Sequence, residues 1–165
     1  MPKGDPKVIE HLNIQLTNEL TAINQYFLHS RMLDDWGVTK LAKHEYAESI
    51  EEMRHADDLI KRILYLNGLP NVQRLNPLLI GQNVREVLEC DLKLEQKALA
   101  DLKEGIAHCE DVRDYVSRDL LKAILANEEE HEDFLETQFD MIEQMGLQNY
   151  IQLNSAAAPE QHEGD

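Results

Sequence analysis

Positive charge is scarce in this 165-residue chain: 16 Lys and Arg face 32 Asp and Glu, a formal charge of −16. That excess argues against a nucleic-acid partner, because phosphate backbones are bound by Lys and Arg that displace counterions. It suits a protein whose field draws cations toward it. Cysteine is nearly missing too. Cys90 and Cys109 are the only two, with no CxxC or zinc-type spacing, which excludes a disulfide framework and fits reduced thiols in a cytoplasm. No apolar run approaches the roughly 18 residues of a membrane span. The N-terminal MPKGDPKVIEHL lacks the apolar core of a secretory signal. A cytoplasmic protein with neither membrane nor nucleic acid among its partners is expected.

Glycine and proline are few, 7 and 5, and they punctuate long helical patterns. Asp5-Pro6 reads as an N-cap followed by proline at the first helical position. The first helix then carries Val8, Leu12, Leu16, Leu20, Ile23 and Phe27 to a break at Trp36-Gly37. A second helix is expected from Thr39 to about Asn67, stopped by Gly68 and Pro70. The stretch LPNVQRLNPLLIGQN has no clear period and reads as a loop. A third helix spans about Val84 to His108, and Asp111 is the expected cap of a fourth that lasts to Met145. LQNYIQL allows one short further helix. Residues 1–154 form one domain on this reading, and the acidic tail 155–165 is expected to be disordered. No strand-like alternation is present.

Connection lengths set the topology. Short turns make hairpins of helices one and two and of helices three and four. The middle loop, at about 3.3 Å per residue, can travel the length of a bundle. The fold class is therefore all-α, a four-helix bundle with one long crossover between helices two and three.

Each inward stripe is interrupted by acid near mid-helix. The first reads Leu12, Leu16, Glu19, Ile23, Tyr26, and the second Leu41, Glu45, Glu48, Glu52, His55, Leu59, Ile63. The third reads Val84, Leu88, Leu92, Glu95, Leu99, Leu102, Ile106, and the fourth Leu120, Ile124, Glu128, His131, Leu135, Ile142. Residues three apart share a helix face, so Glu52/His55 and Glu128/His131 each present a carboxylate beside an imidazole. Mid-helix positions share one level whichever way a helix runs. Glu19, Glu52, Glu95 and Glu128 should therefore meet, with His55 and His131 beside them. Four crowded carboxylates cannot all stay ionised without cations. Oxygen-rich ligation with one imidazole per metal suits two iron or manganese ions better than zinc or calcium. Tyr26 is either a partner for a ligand carboxylate or an ordinary core aromatic.

These residues are recognisable. NELTAINQYFLHSRM, EYAESIEEMRHAD, LYLNGLP, DYVSRDLL, EEEHEDFLE and MGLQNY resemble the bacterioferritins, the haem-containing branch of the ferritin-like superfamily. Its arrangement of one Glu from each of two helices and Glu-x-x-His from each of the others is already described for such bundles. The resemblance implies that Glu19, Glu52, His55, Glu95, Glu128 and His131 ligate a di-iron centre, Glu52 and Glu128 bridging. It implies a ferroxidase that oxidises Fe2+ with O2 or H2O2 and stores ferric mineral in a homo-oligomeric shell of 24 subunits. It also implies that Met53 and its symmetry mate ligate haem b at a two-fold interface, with release by reduction through that haem by a bacterioferritin-associated ferredoxin. One departure matters: several of these proteins have histidine where this chain has Ala47, which removes a residue associated with an inner-surface iron site. The rival class is a non-storage di-iron redox enzyme, a peroxidase or oxidase on the same bundle.

Overall fold

The computed structural model describes residues 3–160. Among them are five helices and no strand: α1 (Pro6–Asp35), α2 (Thr39–Tyr65), α3 (Val84–Asp111), α4 (Tyr115–Met145) and α5 (Leu147–Leu153). Residues 161–165, the end of the acidic tail, lie outside the described residues, as do residues 1 and 2.

Caps explain the boundaries. Asp5 accepts from the backbone N–H groups of Lys7 and Val8, with Pro6 in the first turn. The cap of α4 is Asp114 rather than Asp111. Helix α3 runs on through Asp111, Arg113 turns the chain with φ 62°, and Asp114 accepts from Ser117 N–H. Arg62 of α2 fixes that carboxylate by donating to it at 2.9 Å, a contact that no local pattern reveals. Helix α2 has no side-chain cap. Its early Lys40 N–H donates instead to the Asn154 carbonyl at 2.9 Å, and Thr39 Oγ1 accepts from Ala156 N–H. The end of α5 thus satisfies part of the open N-terminus of α2.

Contacts order the bundle. Ser30 bonds the Ala42 carbonyl, so α1 and α2 run antiparallel. Asp5 meets His108, Asn18 meets Asp101 and His29 meets Asp91, so α1 and α3 are antiparallel as well. Helices α2 and α3 are consequently parallel, and residues 66–83 carry the chain back along the bundle. Apolar residues gather at the two ends. Val8, Leu12, Leu16, Leu59, Ile63, Leu102 and Ile124 form one cluster. Leu33, Leu41, Val84, Leu88, Leu135, Ile142 and Tyr150 form the other. Between them lies a buried polar belt.

The crossover is seated on polar residues of α1. Asn13, Thr21, Gln25 and His29 accept from the backbone N–H groups of Asn71, Asn76, Leu79 and Gly81. These side chains supply partners that an unpaired buried loop would lack. At Gly81 the approach is tightest. A Cβ there would fall 2.3 Å from Val87 N and 2.6 Å from Glu86 C, both backbone atoms. Gly81→Ala is therefore expected to destabilise the fold by about 1–3 kcal/mol, the range for overpacking. Denaturant unfolding checks this, and an unchanged midpoint would show that the loop moves freely.

Candidate metal centre

The polar belt is built from one or two residues per helix. Glu19 comes from α1, Glu52 and His55 from α2, Glu95 from α3, and Glu128 and His131 from α4. All six are buried; Glu19, Glu52, Glu95 and Glu128 are each 1 % exposed. The six form two overlapping groups, Glu19–Glu52–His55–Glu128 and Glu52–Glu95–Glu128–His131. Within each group the donor atoms lie within 4.8 Å of one another. Glu52 and Glu128 belong to both. Every residue singled out from the helical stripes reaches this one level.

The Nδ1 atom of each imidazole faces three carboxylates. His55 Nδ1 is 3.3 Å from Glu128, 3.5 Å from Glu19 and 3.9 Å from Glu52. His131 Nδ1 is 3.2 Å from Glu52, 3.3 Å from Glu128 and 3.6 Å from Glu95. Burial disfavours charge on His55, but Glu128, Glu19 and Glu52 outweigh it and lift its pKa to about 12. His131 is raised likewise, burial again being overcome by Glu128, Glu48, Glu52 and Glu95. Burial, together with the charges of Glu19 and Glu128, pushes Glu52 well above the ordinary carboxylate range. Glu95 is pushed up by burial and by Glu128. Glu128 goes the other way: burial opposes its charge, but the neighbouring Glu95, His131 and His55 outweigh it and hold it well below the usual value. Like charges at this spacing share protons or share cations.

Donor chemistry decides which occupant fits. Glu19 Oε2, Glu52 Oε1, His55 Nδ1, Glu95 Oε2, Glu128 Oε1 and His131 Nδ1 are all buried and have no hydrogen-bond partner. One such atom comes from every residue of the centre. Buried polar atoms without partners are costly, and a metal bound among them removes that cost. Three carboxylates and one imidazole per group make a hard, anionic donor set that favours iron or manganese over thiolate-seeking metals.

Four residues, overlooked in the helical stripes or left without a settled role there, support this layer. Gln15 donates to Glu19 Oε1 at 2.8 Å. Its spacing of four residues from Glu19 was the available signal. Glu48 Oε2 and Glu51 Oε2 lie 2.5 and 3.1 Å from His131 Nε2 and turn Nδ1 of that ring toward the centre. Glu51 is only partly buried. Tyr26 is completely buried and its hydroxyl donates to Glu95 Oε1, which settles its role as a partner to that carboxylate. Met53, next to Glu52 in sequence, lies off the buried layer and is 52 % exposed. Ala47 is exposed on the same helix.

Comparison with known proteins agrees with this arrangement. The ferritin-like domain family model matches residues 9–145. The chain is 57 % identical over 158 residues to a bacterioferritin of Brucella melitensis, covering 96 % of this chain and 98 % of that protein. It is 54 % identical over 148 residues to a bacterioferritin of Mycobacterium tuberculosis, covering 90 % and 93 %. It is 51 % identical over 154 residues to one of Rhodobacter capsulatus, covering 93 % and 96 %. With the bundle, its buried carboxylate layer and these relatives in agreement, the chain belongs to the bacterioferritins, within the ferritin-like family.

Proposed function

We propose that this protein oxidises Fe2+ at the buried carboxylate layer and stores the product as ferric mineral inside a shell of its own copies. The observation that carries the reading is the set of six unpartnered buried donor atoms, one on each of Glu19, Glu52, His55, Glu95, Glu128 and His131. On this reading Fe2+ is the substrate. Glu19 and His55 take one ion, Glu95 and His131 the other, and Glu52 and Glu128, common to both groups, span the two.

The residues do three things. Their carboxylates replace the water shell of Fe2+ and favour Fe3+, since the harder ion gains more from anionic oxygens. Their imidazoles release protons as metal binds, because only neutral nitrogen can ligate. Glu48, Glu51, Gln15 and Tyr26 hold ligands in place from outside. The oxidant is O2 or H2O2.

We further propose a shell of 24 subunits in the cytoplasm. Met53 and its counterpart across a two-fold axis would hold haem b, and the exposure of Met53 on the outer side of α2 supports this. Haem bound by two thioethers supplies a one-electron carrier. Release of insoluble ferric mineral calls for a reductant, for which a small ferredoxin is the proposed donor. No described helix is long and apolar enough to cross a membrane.

Aerobic addition of Fe2+ to the purified protein tests the reading. The expected result is saturable oxidation followed by accumulation of iron far beyond two atoms per subunit, in a large particle on sizing. Turnover by a small species that retains only a pair of irons would replace storage with a peroxidase or oxidase role.

A further inference from the structure

A second buried polar group lies along the bundle from the metal centre, toward the crossover. His29, Glu45 and Asp91 present donor atoms within 4.8 Å of one another, and all are buried, His29 and Asp91 completely. Most of its valences are filled. Gly81 N–H donates to His29 Nε2 at 3.0 Å, so the ring hydrogen is on Nδ1 and is donated to Asp91 Oδ1 at 2.9 Å. Gln25 donates to the same oxygen at 3.1 Å. Two oxygens remain, Glu45 Oε2 and Asp91 Oδ2, both fully buried and without a partner.

Two adjacent buried carboxylates cannot both be ionised at low cost. A proton fits between them better than a metal. Both nitrogens of His29 are committed, which leaves too few ligands for a divalent ion. The gap that Glu45 lines with Tyr26, Glu48 and His131 is too narrow to admit a water molecule. Burial and the Asp91 carboxylate also push Glu45 well above the ordinary range. His29 and Gln25 donate only to Asp91, so the proton sits on Glu45.

We propose that Glu45 and Asp91 share one proton, and that this pair is the internal proton store drawn on when oxidant is reduced at the neighbouring iron centre. The proposal rests on the iron-oxidising reading above. The narrow gap joins the two places. Tyr26 bonds Glu95 at one side, and Glu48 touches both His44 and His131 at the other. Tyr26 and His29 face the pair from α1, and His44 and Glu48 from α2. Glu95 faces it from α3, His131 from α4 and Tyr150 from α5.

The balance is simple. Two Fe2+ each lose one electron, and dioxygen gains both with two protons and leaves as hydrogen peroxide. One proton comes from Glu45, which leaves both carboxylates ionised, and one from water, whose hydroxide passes into the ferric product. Hydrolysis of the ferric product releases protons, and one of these restores Glu45.

Infrared spectroscopy and kinetics on the full chain test this. At neutral pH the metal-free protein is expected to show carbonyl stretches of buried carboxylic acids, and Glu45→Gln to lose one of them while those of Glu52 and Glu95 in the metal centre remain. The amide in that variant can still donate to Asp91, so the fold should survive. Glu45→Gln is expected to bind Co2+ with wild-type stoichiometry yet oxidise Fe2+ on the order of 10²-fold more slowly, the low end for a positioned proton donor. Its pH–rate profile should lose a limb, and Glu45→Asp should recover part of the rate. Absence of a band that Glu45→Gln removes overturns the store, as does the disappearance of that band on adding Co2+ to Glu128→Ala without oxidant, which would mark a cation site. A normal rate in Glu45→Gln beside a normal wild type overturns the store alone. Wild-type protein that never oxidises Fe2+ overturns the iron reading and the store together.

Discussion

Glu128→Ala is expected to slow Fe2+ oxidation by at least ~10²-fold, since even supporting residues around a metal are worth 10–100-fold. The geometry explains why this residue outranks its neighbours. Glu128 belongs to both donor groups and lies 3.3 Å from each imidazole. Its removal opens both metal positions at once, whereas Glu95→Ala or His131→Ala strips a residue from one group only. Those two variants should slow oxidation less and leave one metal position able to bind. Stopped-flow absorbance after Fe2+ addition gives the rate, and sizing confirms assembly. Wild-type oxidation by an assembled Glu128→Ala protein would remove this layer from the reaction.

Met53→Leu is expected to abolish haem absorption while leaving Fe2+ oxidation within about twofold of wild type, because a leucine of similar volume on an outward face disturbs no core. Met53 is 52 % exposed although Glu52 beside it is 1 % exposed. The two side chains leave α2 in different directions, so the proposed haem ligand and the carboxylate layer can be changed independently. Leucine has no lone pair to give to iron. Met53→His retains a ligand and should shift the haem spectrum rather than erase it. An unaltered spectrum in the leucine variant would place the ligand elsewhere, and a lost ferroxidase rate would mean that the two sites are coupled.

Much of this was legible because helical periodicity exposes its own violations. Glu19, Glu52, Glu95 and Glu128 stood out because each interrupts an apolar stripe near mid-helix, and all four prove buried. The stripes were less reliable where chemistry was milder. Leu121 is buried while Leu120 is only partly so, one position from the expected face. Phe27, part of the apolar recurrence along the first helix although not of its inward stripe, is 47 % exposed and meets Tyr46 and Arg31. A one-residue rotation about a helix is 100°, so a small error of phase moves a side chain from core to surface.

Polar residues of α1 were the hardest to read. Asn18, Thr21, Gln25 and His29 look like a solvated face, yet all are buried under residues 66–83. Their partners are backbone N–H groups and side chains more than 50 residues away. Nothing local encodes such a pairing. Asp91 was likewise invisible, since a lone acid on α3 acquires meaning only beside His29 and Glu45.

The order of residues alone determined the helices, their antiparallel pairing within each hairpin and the level at which the six candidate ligands would lie. Period, caps and short turns are local, and they act within a few residues along the chain. The tertiary structure decided which oxygens and nitrogens face one another without partners, which side of α2 carries Met53, and how the crossover closes over α1. Those outcomes depend on how separate helices rotate and settle against each other, and packing energy shared across the whole bundle sets that.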